Sequence, residues 1–236
     1  AELCSEVSLL NGAVIKAKHD FEHGQLSFSD LQETLPFPTK LVKVPMSGAV
    51  LEAAIRYSRQ HGPWGEQKRG FLQTDSGVVI PNPTRSGSFG SEPQSAAERD
   101  ALDRIESIDG QPFDPKRVYL VALPRNLLKG FCDIVPLLEF ARARKSMLPG
   151  EDNYIPALEV VVRHACKRIW AQLGTFEQID TNGDGRISRA ELVARMRSVF
   201  GQRPSALVLD NLVDAVDIDQ NGYISRDEFA RLTRKL

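Results

Sequence analysis

No apolar run in this 236-residue chain approaches the ~20 residues that a membrane-crossing helix needs. Neither sign of charge is in excess, since 30 Lys and Arg face 31 Asp and Glu for a formal net charge of −1. Nucleic acid or an anionic membrane is therefore not an implied partner. Cysteine is scarce. Cys4, Cys132 and Cys166 are odd in number and widely spaced, which argues against a disulfide framework. That usage fits a reducing compartment, so a cytoplasmic setting is expected over a secreted one. Residue 1 is Ala rather than Met, and no basic-then-apolar signal precedes the fold. The chain thus reads as a processed product or an excised piece. What is present is ordinary for a globular protein: 42% apolar and 26% charged residues, enough for one large domain or two smaller ones.

The most informative stretch is DTNGDGRISRAE, residues 180–191. Asp180, Asn182 and Asp184 offer side-chain oxygens at positions 1, 3 and 5, and Gly185 at position 6 permits a sharp turn. Arg186 at position 7 offers its backbone carbonyl. Ser188 at position 9 acts directly or through water, and Glu191 at position 12 closes the set with two oxygens. A hard cation such as calcium takes about six to eight oxygens, and this twelve-residue pattern is that of an EF-hand loop. A second copy, DIDQNGYISRDE, supplies Asp217, Asp219, Asn221, Tyr223 (backbone), Ser225 and Glu228 at the same positions. Polar turns between helices are the bland alternative, since Asp, Asn and Gly are ordinary turn formers. They do not explain why both loops repeat Gly at position 6, Ile at position 8 (Ile187, Ile224) and Glu at position 12. Two bound calcium ions are expected.

In chain order, 7–11 reads as a buried strand, and 27–35 as a helix stopped by Leu35-Pro36-Phe37-Pro38. Residues 41–45 alternate like a strand, and Ser47 can cap a helix with Leu51, Ala54 and Ile55 on one face. Residues 71–73 and 78–80 resume strand character, and 81–95 reads as a surface loop. Residues 105–108, the turn Asp109-Gly110, and 118–123 read as one hairpin. The stretch 143–153, with Pro149-Gly150 at its centre, reads as a boundary. Beyond it the pattern is helical, with apolar spacing through 157–173. The expected fold is an α+β (mixed α/β) N-terminal domain over residues 1–145 and a second, all-α EF-hand domain over 155–236.

The run LLNGAVIKAKHDFEHGQLSFSDLQETLPFPTKLVKVPMSG, residues 9–48, resembles the C-terminal, substrate-binding domain of the 5′-nucleotidase family. Later pieces continue the likeness in order: Gly70-Phe71-Leu72-Gln73, the segment 108–115 (IDGQPFDP), and 118–123 before a short loop. The likeness covers about residues 5 to 140.

The resemblance implies a set of substrate-binding residues. Asn11 matches the family's substrate-loop Asn, and Phe37 one aromatic wall of a nucleobase slot. Lys16 stands where the family has a phosphate-gripping Arg, supplying the charge without the bidentate fork. The second wall departs from the pattern. In Pro124-Arg125-Asn126-Leu127-Leu128-Lys129-Gly130-Phe131-Cys132-Asp133 the expected Phe falls on Asn126, and the family's acid is matched by Asp133 only after a shift. The resemblance also implies that hydrolysis is done by two metals in a separate metallophosphatase domain. His19, His23, His61 and His164 form no Asp-x-His or Gly-Asn-His-Glu signature, so no catalytic residue is assigned here. Two function readings stay open. One is the substrate-binding, calcium-responsive part of a nucleotidase-type hydrolase, with a nucleotide or other phosphorylated small molecule as ligand and an upstream metallophosphatase domain as partner. The other is a non-enzymatic calcium sensor or adaptor with a nucleotidase-like scaffold.

Overall fold

The computed structural model describes residues 5–16, 27–60, 69–84, 93 and 95–233. Cys4, His19, His23, His61 and most of the expected loop over 81–95 lie outside the described residues. The chain divides into two compact units, Ala1–Leu158 and Glu159–Leu236.

The first unit runs β1 (Val7–Asn11), α1 (Phe28–Thr34), β2 (Lys40–Ser47), α2 (Gly48–Gln60), β3 (Leu72–Thr74), β4 (Val78–Val79) and α3 (Ala96–Ala101). There follow β5 (Ser107–Ile108), β6 (Gln111–Pro112), β7 (Val118–Pro124), α4 (Arg125–Leu128), α5 (Val135–Ala143) and β8 (Ile155–Pro156). A five-stranded sheet has the order β3-β1-β7-β2-β8. Only the β1–β7 pairing is parallel. β7 is central and apolar, and Tyr119, Val121 and Leu123 are buried in it. β2 alternates as its sequence demands, burying Val42, Val44 and Met46. Beyond Leu41 it has β7 on one side only, which leaves room for Pro45, a residue with no N–H to donate.

Leu51, Ala54 and Ile55 put one buried face of α2 into the same core cluster. The first residue of α2 has to be glycine, because a Cβ at Gly48 would sit 2.5 Å from the Asp114 carbonyl oxygen. Its far end is polar and buried. Arg59 donates to the Leu72 carbonyl and pairs with Asp103 at 3.2 Å. Asp103 is fully buried and also accepts from Thr84 N–H, Thr84 Oγ1 and Gln60 Nε2. Burial lowers the Arg59 pKa, and the charge of Asp103 opposes that shift.

One sequence expectation changes. The turn Asp109-Gly110 joins β5 to β6, not to residues 118–123, and those two strands form a three-stranded sheet with β4. Residues 118–123 instead lie at the centre of the large sheet. A turn signal fixes only its immediate neighbours, and Pro112 and Pro115 stop the second arm from running on. β8, just past the stretch 143–153, pairs with Lys40 and Leu41 and so joins the first unit's sheet.

The second unit contains most of α6 (Ala157–Leu173), then α7 (Phe176–Ile179), β9 (Arg186–Ile187), α8 (Arg189–Phe200), α9 (Ala206–Asp214), β10 (Ile224–Ser225) and α10 (Arg226–Thr233). Gly174, at φ +96°, separates α6 from α7 and bends the entry to the first loop. Trp170 centres this core. Its indole Nε1 donates to the Leu212 carbonyl at 3.0 Å, and its ring meets Phe229 edge-on at 5.8 Å. Phe176, Ile179, Leu192, Met196, Val213 and Val216 fill the rest.

Candidate functional site

The two acidic loops are wired almost identically, because the same residue types recur at the same spacing. In the first, Asp180 accepts from Gly183 N–H and Gly185 N–H, both at 3.0 Å. Asn182 Oδ1 accepts from Asp184 N–H, and Asp184 from Arg186 N–H, both at 2.9 Å. Glu191 folds back across the loop. One oxygen accepts from Thr181 and Asn182 N–H, the other from Ser188 N–H and Oγ. In the second loop Asp217 accepts from Asn221 and Gly222 N–H, and Asn221 Oδ1 from Tyr223 N–H. Glu228 accepts from Ile218 N–H on one oxygen and from Ser225 N–H and Oγ on the other. Gly185 and Gly222 hold φ of +81° and +85°, the backbone state that glycine tolerates best.

Electrostatically, both loops gather negative charge inward. Asp180, Glu191, Asp217 and Glu228 are buried although the loops lie at the surface. Burial pushes the Glu191 carboxyl up, but the hydrogen bonds from Ser188, Asn182 and Thr181 outweigh it and hold it down to about 2. Glu228 is shifted the same way, burial again opposed by Ser225, Ile218 and Asp219. Carboxylate oxygens of Asp217, Asp219 and Glu228 lie within 4.8 Å of one another. A cation among them would offset their mutual repulsion. The donor set is oxygen only, which suits a hard divalent ion rather than a thiolate-loving one.

The first unit holds a separate cavity of about 760 Å³. β1 delivers Asn11 to it, the turn after α1 delivers Phe37, and α4 delivers Arg125 and Asn126. Lys16, Lys40, Arg69, Lys129, Phe131 and Glu151 complete its character. Asn11 is fully buried. Its amide N–H donates to the Arg69 carbonyl at 3.3 Å, while Oδ1 has no hydrogen-bond partner among the described residues. Phe37 and Phe131 are about half exposed, so neither serves as core.

A family model described as "5'-nucleotidase, C-terminal domain" matches residues 1–135, more than half of the chain. The chain belongs to the 5′-nucleotidase C-terminal domain family. A second model, "EF-hand domain pair", matches residues 173–234, the part that holds both loops. Over 59 residues the chain is 41% identical to the probable calcium-binding protein CML27 of Arabidopsis thaliana, covering 25% of this chain and 34% of that protein. Over 61 residues it is 36% identical to the putative calcium-binding protein CML19 of Oryza sativa subsp. japonica, covering 26% and 42%. The chain thus spans less than half of the length of these curated relatives. Among solved structures, it is similar to Haemophilus influenzae NAD nucleotidase (NadN), with 17% identity, a TM-score of 0.48, and coverage of 68% of this chain and 26% of that one. It is also similar to the 5'-nucleotidase precursor of Thermus thermophilus, with 18% identity, a TM-score of 0.39, and coverage of 65% and 26%.

Within this nucleotidase C-terminal domain, Asn11, Lys16 and Phe37 line one cavity, and Asp133 does not. Asp133 follows a left-handed turn at Cys132, has φ +49° itself, and is exposed. Asn126, aligned with the missing aromatic, does line the cavity, together with Phe131 five residues on. Phe131 is the nearest aromatic to Asn126 in the same run, a signal that points to it as a wall of the cavity. Lys40, Arg69, Arg125, Lys129 and Glu151 were also missed. Arg125 and Lys129 stand in that same run, whereas Lys40, Arg69 and Glu151 come from separate segments with no local pattern to link them.

Proposed function

We propose that this chain is the substrate-binding and calcium-binding part of a 5′-nucleotidase-type hydrolase. Each EF-hand loop would hold one calcium ion: Asp180, Asn182, Asp184, the Arg186 carbonyl, Ser188 and Glu191 in the first, and Asp217, Asp219, Asn221, the Tyr223 carbonyl, Ser225 and Glu228 in the second. The observation that carries this reading is the repeated wiring of two loops, each with buried acidic ends and three ligand carboxylates. Bound calcium supplies charge neutralisation for those carboxylates and a reason to reorient the flanking helices, α7 with α8 and α9 with α10.

The cavity would take a nucleotide or a related phosphorylated small molecule. Asn11 Oδ1 offers an unpaired acceptor for an N–H on the ligand. Phe37 and Phe131 offer aromatic faces, and Lys16, Arg69 and Lys129 offer charge to a phosphate. Hydrolysis would require a metallophosphatase domain elsewhere, because the acids grouped closely enough for a metal among the described residues belong to the second EF-hand loop. The position of Asp133 outside the cavity favours the second reading, a calcium sensor whose nucleotidase-like unit is a scaffold. NMR titration with a nucleoside monophosphate separates the two. Shifts at Asn11, Phe37 and Phe131 support the hydrolase reading, and silence at millimolar ligand supports the scaffold.

A further inference from the structure

The described residues lining the cavity include five cations (Lys16, Lys40, Arg69, Arg125 and Lys129) and one acid, Glu151. Glu151 lies beyond residues 1–135, the part matched to the nucleotidase family. It is brought to the cavity by Arg125, whose guanidinium straps the segment 149–153 through the carbonyls of Pro149 (3.2 Å), Gly150 and Asn153 (3.1 Å). From that strap the Glu151 carboxylate reaches Lys129 Nζ at 2.8 Å and Arg125 Nη1 at 3.3 Å.

We propose that Glu151 is a built-in competitor for the anionic end of the cavity's ligand, occupying cations that a phosphate takes over when it binds. The proposal rests on reading the cavity as a nucleotide site. The Lys129 hydrogen bond and then the Lys129 charge hold the Glu151 carboxyl below its ordinary range, so it is charged at neutral pH. The pair is also easy to open. Side chains of Glu151 and Lys129 are 73% and 59% exposed, and such exposed pairs change an equilibrium by less than a factor of about five. A released carboxylate has somewhere to go. Arg125, Lys129 and Glu151 also line a neighbouring cavity of about 520 Å³ that contains Arg142 and Lys145. Turning into it exchanges one pair of cations for another, while a ligand phosphate keeps Lys129 with Lys16 and Arg69. Among the described residues neither Lys16 nor Arg69 has an acidic partner.

The experiment compares the full chain with Glu151→Gln and Glu151→Ala, titrating inorganic phosphate, a nucleoside monophosphate and the uncharged nucleoside. Glu151 is exposed, so both variants keep the fold, which circular dichroism checks. Both should bind phosphate and the monophosphate about two- to fivefold more tightly than the parent, with the gain shrinking as salt rises. Nucleoside binding should not change. Unchanged or weaker phosphate binding in both variants overturns the proposal, and if the monophosphate still binds the parent, the nucleotide reading survives it. Tighter phosphate binding with no preference for the nucleotide keeps the competitor and removes the nucleotide. If neither anion binds any of the three proteins, both readings fall.

Discussion

Ile187 and Ile224 stand directly opposite each other in the short antiparallel ladder that joins the two acidic loops, and both are buried. Each is position 8 of its loop, so a side chain in one site is packed by its equivalent in the other. Ile224→Ala should cost about 2–5 kcal/mol of stability in the second unit through the lost burial and the cavity left behind. It should also weaken calcium binding at the first loop, whose own ligands are untouched. Calcium titration of the variant, followed through NMR signals of Gly185 and Gly222, reads both effects. A change confined to Gly222 would mean that the loops act independently.

The buried pair Arg59–Asp103 makes a different prediction in the first unit. Asp103→Ala takes the buried carboxylate away from the Arg59 guanidinium and from Thr84 N–H and Oγ1. Removing one partner of a buried pair costs on the order of 3–5 kcal/mol. Urea unfolding with calcium present should show the first unit's transition shifted down by that amount. A loss under about 1 kcal/mol would show that water reaches Arg59 and replaces the acid.

The thiols report on burial through pH. Burial pushes the Cys166 pKa from 9.0 up to about 11, so near neutral pH it carries about one hundredth of the thiolate of an unperturbed cysteine. Alkylation of Cys166 in the folded chain should be markedly slower than in urea, and its rate should rise with pH towards about 11. Peptide mapping after iodoacetamide treatment measures it. Equal rates in the folded and unfolded chain would show that Cys166 is not in a closed core.

What was legible in the sequence follows from how local each signal is. The two EF-hand loops were legible, because all candidate ligands of one loop lie within twelve positions and the hydrogen bonds run inside that window. β1, α1, β2 and α2 were legible too, because the stop at Leu35-Pro36-Phe37-Pro38 and the spacing of Leu51, Ala54 and Ile55 are local. The place of β7 was not. Its parallel partner β1 lies more than a hundred residues away, whereas the nearby Asp109-Gly110 turn suggested a closer one. The cavity divides in the same way. The resemblance supplied Asn11 and Phe37, but Arg69, Arg125 and Glu151 meet only after folding.

The central claim is that both loops bind calcium, and isothermal calorimetry on the purified chain after chelator treatment tests it most directly. Three ligand carboxylates per loop predict dissociation constants on the order of 10⁻⁷ to 10⁻⁵ M. At about 100 times the dissociation constant, each occupied site should add roughly 2.7 kcal/mol to the stability of the second unit. Glu191→Gln and Glu228→Gln should each remove one site by deleting the position-12 carboxylate. The account predicts two ions for the parent chain and one for each variant; a parent chain that takes up one ion or none contradicts it.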